Sequence, residues 1–317
     1  MDDASHDPDR LTRFLLEAAG VRGVRVHLDE AWREIASRAE YPREVSLLLG
    51  QAVVATALLT AHAKVEGRLS LQLRGEQGPL RLLFAECTAA GTLRGIARLD
   101  EDEADGDIEG TDAGPRAAAP PGSDLRDLGK GAILAITIEN PSPSAGREPV
   151  RYQGLVPLES PTLAGALEDY FRQSEQLPTR LLLVADESRA AGLMLQKLPG
   201  DAGDDDGWTR AIALLDTLAP QELLEWPVAT LLHRLYHEDD VRLMDQRPLR
   251  FECSCSRERV ADVLRSLGEE EARAAAAEGL AEIRCEFCGQ RYHFDADAIG
   301  TLFAVGPSQL EPPPSLQ

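Results

Sequence analysis

The sequence predicts an α+β protein with an antiparallel sheet and packed helices, and three observations support this. Short strand-like segments follow one another without a helix between each pair, apolar helical segments flank them, and four of the five cysteines form two close pairs near the C-terminus. Runs of strands favour antiparallel pairing with helices on the sheet. We therefore expect an α+β core domain over 1–199, a helical linker over 200–249 and a small cysteine-containing domain over 250–317.

Three helices are expected in the first part of the core domain. An apolar repeat at helical spacing, ahead of Gly20, predicts the first; it comprises Leu11, Phe14, Leu15 and Ala18. A shorter repeat predicts the second; it comprises Leu28, Trp32 and Ile35. The third begins near Pro42 and contains "VSLLLGQAVVATALLTA" from Val45, which is short and polar-interrupted for a membrane span and indicates a buried core helix.

Strands are expected next. Leu69, Leu71 and Leu73 alternate in "RLSLQLRG", and "LRLLFAEC", "TLRGIARL" and "AILAITIE" continue the pattern between glycine-containing turns. The segment "TLAGALEDYFRQSEQ" predicts another helix, and "TRLLLVAD" and "AGLMLQKL" predict the closing strands.

Residues 100–124 interrupt the core domain. Eight acidic residues lie between Asp100 and Asp112, and "AGPRAAAPPGSD" follows. Without apolar periodicity, this segment is predicted to be a disordered surface insertion; a functional acidic lid is the alternative.

The linker begins at "LPGDAGDDDG", which breaks regular structure. Two apolar helical stripes follow, and the second begins at Pro227. Their members include Trp208, Ile212, Leu215, Val228, Leu231, Leu232 and Leu235. A segment this short cannot enclose a core, so the stripes must rest on a neighbour. They form either a structural helical hairpin or a clamp whose packing can be undone to bind other proteins.

Composition excludes several functions. A formal net charge of −21 argues against sequence-independent binding of nucleic acid or of an anionic membrane, because both need clustered Lys and Arg. The acidic start "MDDASHDPDR" lacks the pattern of a secretory signal, so a cytoplasmic protein is expected. In that compartment thiols stay reduced, and paired cysteines are more often metal ligands or redox sensors than structural disulfides.

The cysteine pairs have the spacing of a metal site. Cys253 and Cys255 form C-x-C, residues 256–284 separate the pairs, and Cys285 and Cys288 form C-x-x-C. Four thiolates can surround one Zn²⁺ tetrahedrally, and a helical spacer would bring the pairs together. We therefore predict one Zn²⁺ per chain in the reduced state. Reduced buried thiols and a permanent disulfide are the alternatives.

Other residues near the pairs have weaker assignments. His293 could replace a cysteine as ligand, but four cysteines fill the shell, so it is expected to pack near the site. Four arginines either offset the charge of the thiolates or are solvated surface residues: Arg257, Arg259, Arg284 and Arg291. Cys87 is expected to be a core residue. No ligand cluster is predicted among His27, His62, His233 and His237.

These features suggest an oxidant-sensitive switch. Zinc binding supplies on the order of 10–16 kcal/mol, which is comparable to the whole stability of a small domain. Zinc also keeps sulfurs as thiolates, the form that oxidants attack. Oxidation should eject the metal, unfold the C-terminal domain and expose the apolar stripes of the linker. A chaperone for unfolding proteins needs such a surface.

The chain resembles the bacterial redox-regulated heat-shock holdase family, also called the 33-kilodalton chaperonin. The resemblance extends from about Arg10 to about Ile299. It rests on five segments that occur in this order along the chain: "RYQG" at Arg151, "LEDYFRQSEQLPTR" at Leu167, "LLHRLYHEDDV" at Leu231, "CSCSRER" at Cys253 and "CEFCGQRYHF" at Cys285.

The resemblance implies that Cys253, Cys255, Cys285 and Cys288 are zinc ligands when reduced, and that Cys253–Cys255 and Cys285–Cys288 are disulfides when oxidised. It also implies an ATP-independent, non-enzymatic holdase that binds unfolding client proteins, prevents their aggregation under heat or oxidative stress and dimerises when active. The acidic insertion and the proline-rich tail depart from the family pattern.

Two other classes remain as alternatives. A thiol–disulfide oxidoreductase would place its C-x-x-C after the first strand of a thioredoxin-like unit, which is not the setting of Cys285. A nucleic-acid-binding zinc ribbon would need more basic residues. No P-loop motif supports nucleotide use.

Overall fold

The structure, a computed structural model, describes residues 9–63, 65–77, 79–100, 124–129, 131–142, 149–200, 202–277 and 279–304. The predicted acidic insertion lies outside the described residues except at its two ends, and so does the proline-rich tail. The chain divides into two compact units, Met1–Glu252 and Cys253–Gln317. Residues 200–249 therefore belong to the same compact unit as the core domain.

The elements of the first unit are, in chain order, β1 (Arg10–Leu16), β2 (Val21–Leu28), α1 (Glu30–Ala36), α2 (Arg43–His62), β3 (Arg68–Arg74), β4 (Leu80–Thr88), β5 (Thr92–Leu99), a 3₁₀ turn (Leu125–Leu128), β6 (Ile133–Asn140), β7 (Val150–Pro157), α3 (Leu163–Tyr170) with a π-helical end (Phe171–Glu175), β8 (Thr179–Ala185), β9 (Ala190–Lys197), α4 (Gly207–Leu215), α5 (Pro220–Glu225), α6 (Val228–Tyr236), β10 (Val241–Pro248) and β11 (Arg250–Phe251).

These strands form two sheets. The first has the order β10-β1-β2-β9-β8 and is antiparallel throughout. The second has the order β11-β5-β4-β3-β6-β7 and is antiparallel except for the short parallel pair β11–β5. The predicted α+β class with an antiparallel sheet is confirmed.

Helix α2 lies between the two sheets. Its buried side chains join those of both sheets in one core, together with the fully buried Trp32 of α1. The indole nitrogen of Trp32 donates to the Asp186 carbonyl at 2.9 Å, which satisfies its one polar group inside the core.

By length and composition α2 could also cross a membrane, as the core helix of a globular protein often can. In the structure 67% of its most apolar stretch is buried inside the unit. This agrees with the expectation of a buried core helix.

The first sheet is covered on its other face as well. Phe14, Leu16 and Val21 point away from α2 and pack with Leu193 and Leu195 in a second buried cluster. Helices α4, α5 and α6 supply the rest of that cluster. The first sheet is therefore the middle layer between α2 and these three helices.

This double burial overturns one sequence prediction. The predicted first helix is wrong, because Leu11, Phe14 and Leu15 lie in strand β1. A strand buried on both faces carries apolar residues at odd and even positions, and this can imitate helical spacing. Gly20 lies in the turn between β1 and β2 with φ of +62° and does not end a helix.

The remaining predictions for the core domain fare better. The helices at Trp32 and Val45, the helix within "TLAGALEDYFRQSEQ" and the strands quoted above are all present. Sequence inspection missed β2, β7, β10 and the two-residue β11. Strand β10 is the most consequential omission, because it places a strand inside the predicted helical linker and pairs with β1.

The second unit is small. It contains α7 (Arg257–Leu267), α8 (Glu269–Ala275), β12 (Leu280–Arg284), β13 (Arg291–Asp295) and α9 (Ala296–Ala304), and the two strands form an antiparallel hairpin. Four alanines make up much of its described buried core, alongside Leu264, Phe294 and Ile299. So few large apolar side chains supply little folding free energy.

Gly23 provides a test of the double burial. An added Cβ there would lie 2.0 Å from the Phe14 ring, which is itself fully buried. We expect Gly23→Ala to destabilise the first unit by about 1–3 kcal/mol, because the ring has no space to move into. Urea unfolding followed by tryptophan fluorescence would measure this, since Trp32, Trp208 and Trp226 all lie in the first unit.

A double variant gives the control. Phe14→Leu removes the ring that the new methyl group meets, so Gly23→Ala should cost less in that background than alone. Equal costs in both backgrounds would contradict the packing described here.

Candidate metal centre

The structure brings the four C-terminal cysteines together. The Sγ atoms of Cys253 and Cys285 are 3.6 Å apart, those of Cys255 and Cys288 are 3.4 Å apart, and all four lie within 4.8 Å of one another. All four side chains are partly buried and none forms a disulfide. The spacing of the two pairs therefore yields one cluster, as the sequence predicted.

The hairpin positions Cys285 and Cys288. Cys285 follows β12 directly, and its N–H donates to the Gln290 carbonyl at 2.8 Å. The Gly289 N–H donates back to the Cys285 carbonyl at 2.8 Å. Gly289 has φ of +73°, which lets the chain turn tightly enough to point both sulfurs inward.

The start of α7 positions the other pair. Ser256 caps the helix by accepting from the Arg259 N–H at 3.3 Å, so the helix begins at Arg257, two residues after Cys255. The Arg259 guanidinium reaches back and donates to the carbonyl of Ser254, between the two cysteines, at 2.6 Å. Helix start and arginine together fix the short C-x-C loop.

Tyr292 contacts the cysteine cluster, and sequence inspection missed this residue. Its hydroxyl donates to Cys255 Sγ at 3.1 Å. The signal was present in the alternation of β13: Tyr292 is two residues from Phe294, which is buried in the core, so both face inward.

The pKa values of three of these thiols shift in different directions. Burial raises the pKa of Cys253 and of Cys288. Burial also acts to raise the pKa of Cys255, but hydrogen bonds from Tyr292 and from the other thiols outweigh it and lower that pKa. Four thiolates this close repel one another, so full ionisation needs a cation among them.

The cluster fits Zn²⁺. With Zn–S bonds of about 2.3 Å, a tetrahedral ZnS₄ site has sulfurs about 3.8 Å apart. The two sulfur–sulfur distances of 3.4 and 3.6 Å and the 4.8 Å limit are compatible with this. Cys253, Cys255, Cys285 and Cys288 could hold one ion without a further ligand.

His293 lies outside this set. It is on β13, and its Nδ1 is 3.7 Å from Glu282 Oε2 on the neighbouring strand. Among the arginines, Arg257 donates to the His293 carbonyl at 2.8 Å and stacks on the Phe294 ring, while Arg291 pairs with Glu282 at 3.1 Å. These contacts support the hairpin and the helix rather than the sulfurs directly.

Cys87 differs chemically from the four clustered cysteines. It lies in β4 and is 1% exposed. Burial raises the pKa of its thiol to about 12, so it stays protonated and unreactive. Its expected place as a core residue agrees with the structure.

The clamp candidates lie on α4 and α6 in the first unit. Their apolar faces rest on β1, β2 and β9 as part of the second buried cluster, in which five of them are nearly or fully buried: Leu215, Val228, Leu231, Leu232 and Leu235. Trp208 packs at the edge of this cluster and is partly exposed, as is Ile212.

The chain is similar in sequence to known proteins. The chain matches the family model described as "Hsp33 protein" over residues 9–295. It is 45% identical to a 33 kDa chaperonin of Ectopseudomonas mendocina, covering 94% of this chain and 96% of the relative. It is 44% identical to a 33 kDa chaperonin of Nitrosococcus oceani, with 93% and 94% covered.

A solved structure has the same fold. The crystal structure of a 33 kDa chaperonin (heat shock protein 33 homolog) from Thermotoga maritima matches with a TM-score of 0.73 at 22% identity, covering 93% of this chain and 98% of that one. Together, the family model and the relatives show that this chain belongs to the Hsp33 family of chaperones.

Proposed function

We propose that this chain is a redox-regulated, ATP-independent holdase: reduced and zinc-bound it is inactive, and oxidation of its four clustered cysteines activates it. The observation that carries the proposal is the sulfur cluster, in which all four Sγ atoms lie within 4.8 Å of one another in a unit with a small core. It acts on unfolding proteins and not on a small substrate, so no enzymatic activity is proposed.

The cysteines provide the sensor. Zn²⁺ would hold the four sulfurs as thiolates and tie the hairpin to the start of α7. An oxidant such as hydrogen peroxide takes two electrons from each pair of thiolates and is reduced to two hydroxide ions. Two peroxides thus form two disulfides, which we assign as Cys253–Cys255 and Cys285–Cys288, and no thiolate is left to bind the metal.

Loss of the metal removes the main support of the second unit. Its described core holds only three large buried side chains beside four alanines. Since zinc contributes on the order of 10–16 kcal/mol in small metal-dependent domains, such a core should not stay folded alone.

The clamp provides the response. Helices α4 to α6 cover apolar residues of β1, β2 and β9, so their release would expose both halves of a buried cluster. The chain connects them to the sensor through β10 and β11, and only Glu252 separates the end of β11 from Cys253. We infer that the exposed surface binds unfolding clients, that the active form is a homodimer, and that the protein works in the cytoplasm without nucleotide, membrane or nucleic acid.

The first prediction of this proposal concerns metal content. The reduced protein should bind one Zn²⁺ per chain, and Cys285→Ser should lose most of it because three thiolates and a hydroxyl make a weaker shell. Elemental analysis of the untreated reduced protein measures this. The matched control is Cys87→Ser, which lies outside the cluster and should keep full occupancy; metal-free wild-type protein would refute the site.

The second prediction concerns the pairing of the disulfides. Once the metal is gone, each cysteine should join its neighbour in sequence, because the shortest loop has the highest effective concentration. Peptide mapping of the peroxide-treated protein identifies the bridges. A dominant Cys253–Cys285 or Cys255–Cys288 bridge, between the sulfurs that are near each other in the cluster, would contradict the assignment.

The third prediction concerns the ability of the protein to hold unfolding clients and prevent their aggregation. Oxidised protein should suppress aggregation of a heat-unfolding client, measured by light scattering without nucleotide, and reduced zinc-loaded protein should not. Leu232→Glu puts a charge where the native side chain is 3% exposed, at a cost of roughly 3–5 kcal/mol, so it should be partly active without oxidant.

Thr230→Glu is the control for this variant, since position 230 is exposed on the same helix. It should stay inactive until oxidised. Equal activity of reduced and oxidised wild-type protein would refute the switch, whereas a silent Leu232→Glu would remove only the clamp from the proposal. Reductase activity in the zinc-free protein would favour the oxidoreductase alternative instead.

A further inference from the structure

Helix α6 carries two histidines that the proposed switch does not use. His233 and His237 are one turn apart and exposed, and their ring centroids lie 5.9 Å from each other. Residues four apart lie on the same face of a helix, so both imidazoles point to the same side. Sequence inspection predicted no ligand cluster for them.

Both rings line one cavity of the first unit. It has a volume of about 330 Å³ and lies between α6 and the start of β10, where its walls include Leu232, Tyr236, Asp239 and Leu243. The cavity therefore has two imidazoles in its wall together with a carboxylate that follows the helix by three residues.

One oxygen of the Asp239 carboxylate is available to a further ligand. Its side chain is 3% exposed, and Oδ1 accepts from Arg210 at 2.9 Å. Oδ2 is buried and accepts no hydrogen bond from the part of the chain that the structure describes. A buried carboxylate oxygen without a donor is costly, and an unseen ion or water is a usual explanation.

The charge around the cavity favours a cation. Arg210 forms ion pairs with three carboxylates, Asp204, Asp206 and Asp239. Their combined negative charge exceeds its single positive charge. Arg234, the other nearby cation on α6, stacks on the Trp226 ring at 4.2 Å.

We propose that His233, His237 and Asp239 form a second metal site, which takes a divalent transition-metal ion of the kind that imidazole and carboxylate bind, such as Zn²⁺ or Ni²⁺. Among the described residues, only the four cysteines already bring three donor atoms within 4.8 Å. Binding therefore requires the two rings to turn into the cavity and the buried Asp239 carboxylate to turn towards them; the exposed rings change rotamer readily. Water completes the coordination.

Occupancy of this site would have a structural effect. It would tie α6 to the turn that precedes β10, and α6 is part of the proposed clamp. A bound ion should therefore raise the melting temperature of the first unit, because it binds the folded state alone. The site itself does not depend on the redox switch.

The test is a titration of untagged, reduced, full-length protein already carrying one Zn²⁺ per chain. Calorimetry with Ni²⁺ should show one further equivalent, without the nickel–thiolate absorption that displacement at the cysteines would produce. His237→Gln should weaken this binding at least about tenfold and remove the Ni²⁺-dependent rise in melting temperature.

Two comparisons make the result specific. His293→Gln changes another exposed histidine and should leave the second equivalent unchanged. Asp239→Asn should weaken it, while Asp240→Asn, at the exposed neighbouring position, should not. Absence of a second equivalent, or His237→Gln binding Ni²⁺ as tightly as the wild type, would overturn the proposal whether or not the cysteines bind zinc.

Discussion

Burial of the first sheet on both faces is the constraint on which the rest of the first unit depends. Helix α2 covers one face and helices α4 to α6 cover the other, so β1, β2 and β9 carry apolar side chains at successive positions. The sheet cannot lose either cover without exposing a continuous apolar surface. The same arrangement that stabilises the unit therefore keeps an extensive apolar surface covered, and α4 to α6 form the cover that is nearer in the chain to the cysteine-containing unit.

The second unit follows a different principle. Its described apolar core is small, and its hairpin and helix start are shaped around four sulfurs by a positive-φ glycine, a serine cap and an arginine that holds the C-x-C loop. In the switch that we propose, such a unit gains most of its stability from the metal that the sulfurs hold, and this makes it sensitive to their oxidation.

The sequence was informative where one physical signal dominated. The cysteine spacing predicted the cluster, and strict alternation predicted β3 to β6, each with one face in the main core. It failed where two effects overlapped. Strand β1 looked helical because both of its faces are buried, and β7 and β10 escaped notice because edge strands are largely exposed and lack a clear apolar alternation. Tyr292 and Asp239 act through contacts that only the folded chain brings together.

One consequence follows from the position of β10 and β11. Only Leu249 separates them, yet β10 closes an edge of the first sheet and β11 closes an edge of the second. Detachment of this single segment would uncover the backbone N–H and C=O groups of β1 and β5 at once. An open strand edge accepts any extended chain through main-chain hydrogen bonds, regardless of its side chains. Eleven residues, 241–251, thus cover two strand edges at which a further strand could pair. Pairing of this kind does not depend on the amino-acid sequence of the partner.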